Sequence, residues 1–319
     1  MDNLTHGLVG ALIGQAGLKR KTGLAMPALV IGANLPDVDA ACFLWLDGVQ
    51  HVGFRRGITH GPIAWVLLPL ILAGLLWGWD RWQAKRGKRP EGRLPVRFGW
   101  LYALAFIACL THPALDWLNV YGIRLLEPFS SRWFYGDTLF IIDVWLWLGL
   151  GFATWFSLRR ERQERDWLTP ARVGLALAAA YIALNGVISW VEREFNGEMT
   201  EPYPSVAITS PPPLFFWERE RIIQLHDGTW LSSRGTGRTF GYGYRHISRS
   251  PCEMPSKERL SHSDRDLAAF LFWSRAPFAE RAPDGSVLLR DARYYDPGAA
   301  DRFTVALPDV RCESLAPPS

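Results

Sequence analysis

His6, Asp37, Asp39, His60, His112 and Asp116 all lie inside or beside strongly apolar stretches of a 319-residue chain. Imidazole and carboxylate are the groups that bind hard and borderline divalent ions. An ionisable group at membrane depth costs about 2.5–3.5 kcal/mol on insertion scales, so finding one there points to function. His112 and Asp116 stand at i and i+4, on one face of a helix. That spacing suits two metal ligands, or a histidine with its orienting carboxylate. Asp37 and Asp39 form an Asp-x-Asp after Pro36, and carboxylates this close repel unless they share a cation or a proton. His60 closes the run Arg55-Arg56-Gly57-Ile58-Thr59-His60, ahead of a proline, Pro62, placed for a first helical turn. Arg55 and Arg56 are suited to an anion such as a phosphate. His6 opens the first apolar stretch, and Asp143 inside another is a further site candidate. Each has a plainer reading: Asp2, Asp116 and Asp137 as helix caps, Asp37 and Asp39 as a helix-ending turn, the arginine pair as headgroup contacts.

The elements that must position these residues read as membrane helices. Residues 62–79 carry no charge over 18 positions, about enough to cross a hydrocarbon core. Residues 98–115, 139–157 and 173–191 are further candidates, and 4–18 and 24–46 are weaker ones. Of the 16 tryptophans, 13 precede residue 191, as interfacial aromatic belts would require. Arginine and lysine cluster at 19–21, 80–97 and 158–172, which the positive-inside rule places in the cytoplasm. Tracing the chain from those loops puts all six residues, and Asp143, at the outer ends of their segments.

From about residue 195 the composition changes. Pro202, Pro204 and Pro211–Pro213 read as an extended linker over 195–214. Beyond it, Asp227-Gly228, a glycine-rich 235–245 and Asp284-Gly285 punctuate short strand-like runs such as SVLLRDARYY and RFTVALPDV. The expected architecture is an α-helical polytopic membrane bundle over 1–194, followed by a small extracytoplasmic β-rich domain over 215–319. Cys42 and Cys109 read as core residues. Cys252 and Cys312 can form a disulfide if their domain lies outside the cytoplasm. The first segment lacks the basic start of a cleavable signal peptide. A net charge of +4 and no recognisable motif argue against nucleic acid as a partner. His226, His246 and His262 lack ligand spacing.

The order His6, Pro-Asp-Val-Asp (36–39), Arg-Arg-Gly-Ile-Thr-His-Gly (55–61) and LTHPALDWLNVYG (110–122) resembles the YdjM/DUF457 family of membrane-bound metal-dependent hydrolases. The resemblance covers roughly residues 1–150. That family is distantly similar to the helical zinc-dependent phospholipase C and P1 nuclease group, whose sites are His/Asp clusters on zinc. The resemblance implies a hydrolase of the inner membrane acting on a lipid or phosphoester. Two positions depart from it: Ala40 and Arg55 stand where many relatives carry histidine.

These readings converge on a divalent ion, zinc by expectation, as one or two ions held by His6, Asp37, Asp39, His60, His112 and Asp116. Such an ion lowers the pKa of a bound water toward neutrality. Arg55, Arg56 and Asp143 are the expected catalytic groups around it, the arginines stabilising developing negative charge. The expected partner is a membrane lipid or lipid-linked substrate. The rival is a transporter or ion-coupled carrier using the same cluster; it would place the ionisable groups near mid-bilayer rather than at one edge.

Overall fold

The computed structural model describes residues 1–197, 205–235, 245–247, 252, 254, 264–295, 300–308, 310 and 312. The order is α1 (Asn3–Gln15), α2 (Ala25–Asn34), a 3-10 stretch (Leu35–Leu44), α3 (Gln50–Phe54), a 3-10 turn (Ile58–His60), α4 (Pro62–Lys85), α5 (Phe98–Trp117), α6 (Val144–Arg162) and α7 (Leu168–Gly197). Strands β1 (Val206–Ser210), β2 (Arg219–Gln224), β3 (Trp230–Gly235) and β4 (Arg245–His246) follow, then α8 (Arg265–Trp273), β5 (Pro277–Arg281), β6 (Val287–Asp291) and β7 (Thr304–Ala306). A helical N-terminal region followed by small antiparallel sheets is the expected fold class.

The chain forms two compact units. The first comprises Met1–Asp39, Arg56–Ile188 and Pro211–Phe216; the second comprises Ala40–Arg55, Ser189–Ser210 and Trp217–Ser319.

Ala25–Leu44, Pro62–Lys85, Phe98–Trp117 and Leu168–Arg193 are long and apolar enough to cross a membrane. Their outward faces are greasy: Leu67, Ile71 and Leu75 on α4 and Leu177, Leu184 and Val187 on α7 are exposed. Water would penalise such a surface, whereas lipid would not. Between helices the contacts are small and close. Leu29, Ala33, Leu72, Leu101, Leu104 and Ala108 pack α2 against α4 and α5. A methyl group on Gly32 would press on the Ala105 carbonyl and Ala108, and one on Gly10 would fall on the Leu29 carbonyl. Small residues thus let α1, α2 and α5 approach closely, as membrane helices do.

Local chemistry fixes the helix ends. Asp2 caps α1 by accepting from the Leu4 and Thr5 amides at 3.0 Å. Its carboxylate also receives the Trp147 indole N–H at 3.0 Å, tying the start of α1 to α6. Pro62 opens α4, where its missing N–H costs nothing. Pro113 lies within α5, which runs on to Trp117. The basic end of the first unit is laced together: Lys19 pairs with Glu161, and Lys19 and Arg20 stack over Trp167 at 4.3 and 4.7 Å.

In the second unit, β1 to β4 form one antiparallel sheet in sequence order and β5 to β7 form another. Gly228 and Gly285 take φ of 85° and 88°, so the two Asp-Gly signals do mark hairpin turns. α8 packs on α3, with Gly53 against Ala269. Cys252 and Cys312 are disulfide-bonded, whereas Cys42, and Cys109 in the first unit, are buried thiols. Pro202, Pro204, most of the glycine-rich run and His262 lie outside the described residues.

Candidate metal centre

The site is built where several helix ends of the first unit meet. His6 stands near the start of α1, and Asp37 and Asp39 follow α2 in the 3-10 stretch. His60 ends the turn before α4, and His112 and Asp116 occupy the last turns of α5. His6, His60, His112 and Asp116 are all 0% exposed.

Asp116 is the hub. Its carboxylate lies 3.4 Å from His6 Nε2, 3.6 Å from His60 Nε2 and 3.6 Å from His112 Nε2. His6 and His112 stack with centroids 3.7 Å apart, and the His60 ring is 5.1 Å from that of His112. Asp37 Oδ1 approaches His112 Nε2 at 3.8 Å from the less buried side. Two overlapping sets, His6–His112–Asp116 and Asp37–His60–His112, each bring their ligand atoms within 4.8 Å of one another.

The proton positions follow from the neighbours. His112 Nδ1 donates to the Ala33 carbonyl at 2.7 Å, so in the neutral ring Nε2 is a bare lone pair. Thr59 Oγ1 gives its single proton to Asp39 Oδ2 at 3.2 Å, so it accepts from His60 Nδ1 at 2.9 Å. His60 Nε2 is therefore also bare. Neither of these Nε2 atoms, nor either nitrogen of His6, has a hydrogen-bond partner among the described residues. Bare imidazole nitrogens facing a carboxylate are acceptors facing an acceptor, and burial makes that costly. A divalent cation resolves the conflict, so the residues fit a metal. A partner on the far nitrogen of each ligating histidine is the usual outer support of such a centre.

Asp39 stands behind His60 rather than in either set. Its Oδ2 accepts from Thr59 and, at 2.8 Å, from the Arg56 amide. Arg56 takes φ of +56°, unusual for a residue other than glycine with a long side chain, and the turn points its guanidinium at Asp116. Nε lies 3.0 Å from Asp116 Oδ2, Nη2 donates to Oδ1 at 3.2 Å, and Nη1 donates to Asn119 Oδ1 at 3.0 Å. The Met1 amino group also meets Asp116. Arg55, in contrast, belongs to the second unit, with its guanidinium 5.7 Å from the Phe43 ring. Asp143 is in neither metal-compatible set; it caps α6 through the Leu146 amide at 2.9 Å and accepts from Tyr181 at 3.0 Å.

Thr59 and Asn119 escaped the sequence reading. Thr59 directly precedes His60, and Asn119 lies three residues past Asp116, so proximity to a cluster residue was the available signal. Arg124 was missed too; its amide donates to the Arg56 carbonyl at 2.9 Å, and its guanidinium is 4.9 Å from Trp133.

An apolar helical bundle enclosing a His/Asp cluster at its helix ends defines an integral membrane protein with a metal-compatible centre. Residues 1–191 match the YdjM inner membrane protein family, and the chain belongs to that family. It is also similar to the uncharacterized protein YfhP of Bacillus subtilis (strain 168), with 26% identity over 167 residues. That match covers 49% of this chain and 47% of YfhP, so the chain spans about half the length of this relative. No solved structure matches the chain.

Proposed function

We propose that this chain is a metal-dependent hydrolase of the inner membrane, acting on a lipid or lipid-linked ester at the outer face. The observation that carries the reading is the meeting of three buried imidazoles on Asp116, with the bare Nε2 atoms of His60 and His112 each 3.6 Å from it. His6, Asp37, His60, His112 and Asp116 would hold the ion, and a borderline N/O donor set of this kind suits zinc. When bound, the ion supplies a nucleophile at neutral pH by lowering the pKa of water.

The chain's own groups complete the chemistry. Arg56 is the cation at the hub and stabilises negative charge developing on a phosphoryl or acyl oxygen. Asp39 and Thr59 hold the His60 ring in its tautomer. The burial of the cluster excludes bulk water and strengthens every charge interaction within it. Asp37, the most open of the carboxylates, marks the side from which an ester enters.

Two observations support the outer face. The loops rich in arginine and lysine sit at the opposite helix ends from the cluster, as the positive-inside rule requires of a cytoplasmic side. The Cys252–Cys312 disulfide suits an oxidising compartment for the β-rich unit. Placement at helix ends also favours surface chemistry over carriage, which needs a site reachable from both sides.

The experiment is a hydrolysis panel on the purified, zinc-loaded full chain, with phosphodiester, phosphomonoester and carboxylic ester lipids in mixed micelles. Turnover of one ester class, abolished by chelation and restored by zinc, is expected. A protein that holds zinc stoichiometrically yet hydrolyses none of the three would overturn the enzymatic reading.

A further inference from the structure

Away from the metal cluster, α6 and α7 enclose an apolar groove of about 570 Å³. Trp145 and Tyr181 stand at one end, Phe156 and Pro170 at the other, and Gly149 and Ala153 line its length. Residues 145–156 and 169–181 border it, which at 1.5 Å per residue makes it ~17 Å long. Half of a 30 Å hydrocarbon core is ~15 Å, so the groove has the length of one leaflet.

Its lining is apolar along that length, from Leu146 and Leu150 on α6 to Leu177 and Ala178 on α7, the kind of surface an alkyl chain covers.

The two ends differ in charge. At the first, the polar groups are engaged internally: Tyr181 donates to Asp143 at 3.0 Å, and Trp145 donates to the Leu214 carbonyl at 2.9 Å. At the second, Arg160 donates through Nε to the Asp166 carbonyl, with its guanidinium 5.7 Å from the ring of the groove residue Phe156, and Arg159 sits 5.6 Å from Trp155. Arg172, exposed one turn from Thr169, donates through Nε to the Ala16 carbonyl at 3.2 Å, which leaves the terminal nitrogens of these side chains for a headgroup. A headgroup phosphate at this end would meet guanidinium groups suited to it.

We propose that the α6–α7 groove binds one acyl chain of an anionic phospholipid, with its headgroup at the Arg160 end. The site is separate from the metal centre and does not depend on it. Gly149 offers the means of testing it, because a side chain added there meets nothing within 4 Å in the protein and would project into open space.

The full chain, purified in mild detergent, is titrated with dioleoyl phosphatidylglycerol or dioleoyl phosphatidylcholine and read by native mass spectrometry. Wild type is expected to retain one phosphatidylglycerol. Gly149→Leu is expected to lower that occupancy at least five-fold, and Gly149→Ala to give an intermediate loss, with melting temperature and metal content unchanged. Arg160→Gln is expected to remove the preference for phosphatidylglycerol over phosphatidylcholine while chain binding persists. Equal occupancy in wild type and both Gly149 variants would overturn the proposal. So would a wild-type dimer that Gly149→Leu dissociates without altering bound lipid, since the groove would then be a contact between copies.

Discussion

His6 and His112, 106 positions apart in sequence, stack face to face at 3.7 Å with their planes 16° apart and no exposure. Two imidazolium ions could not share such a space, so the pair is built for neutral rings, the form that binds metal. Each ring in the stack also fixes the angle of the other. His6→Phe keeps the stack and removes the nitrogen. It is expected to fold like wild type by melting temperature and to lose metal affinity at least ten-fold by competition titration. His6→Ala should lose both.

Thr59 and Asp39 set the tautomer of His60 without belonging to either metal-compatible set. Removing such an outer partner typically costs 10–100-fold in metal affinity. Thr59→Val removes the hydroxyl at nearly constant shape and is expected to fall in that range. Thr59→Ser should restore affinity to within about three-fold, because the serine hydroxyl can bridge the same two groups. If the valine variant binds metal like wild type, the proton assignment at His60 is wrong.

Arg56 joins Asp116, Asn119 and the Gly122 carbonyl through one planar fork. A lysine is a point charge and cannot reproduce that geometry. Arg56→Lys is expected to reduce kcat on an accepted ester by about 10²–10³, the usual loss of a charge-stabilising donor. Metal content should stay at wild-type stoichiometry, separating a role in catalysis from one in holding the ion.

The β-rich unit has its own titration. Asp291 is buried, and desolvation pushes its carboxyl up, but Arg293 at 2.7 and 2.8 Å and the Ser274 hydroxyl outweigh that and hold it below the ordinary carboxylate range. A carboxyl depressed in the folded state adds stability that is complete above its unfolded value. That contribution fades as pH falls through the lower, folded value. The unit's melting temperature is expected to be flat above about pH 5 and to drop below about pH 4. Asp291→Asn should cost about 3–5 kcal/mol at neutral pH by leaving Arg293 buried and unmatched, and should flatten the acid limb.

Much of the centre is legible in the sequence because helical periodicity is local. His112 and Asp116 share a face by spacing alone, and the charged loops place the other cluster residues at the same helix ends. Distinguishing Arg56 from Arg55 was not possible from the sequence, since it depends on a single left-handed backbone conformation at Arg56. The place of Asp39 behind His60 depends on the 3-10 path of Leu35–Leu44, which no periodicity announces. Residues 24–46 read as apolar but interrupted by Asn34, Pro36, Asp37 and Asp39, and Ala40 to Arg55 fold with the second unit, where α3 packs on α8. Contacts that far along the chain leave no trace in local composition.

Metal analysis of the purified full chain tests the centre most directly, by elemental mass spectrometry on wild type beside a His112→Ala, Asp37→Ala double variant. The wild type is expected to carry one or two divalent ions per chain, zinc foremost, and the double variant less than a tenth of that at unchanged fold. A well-folded wild type that holds no stoichiometric divalent metal, even after dialysis against zinc, would contradict the account.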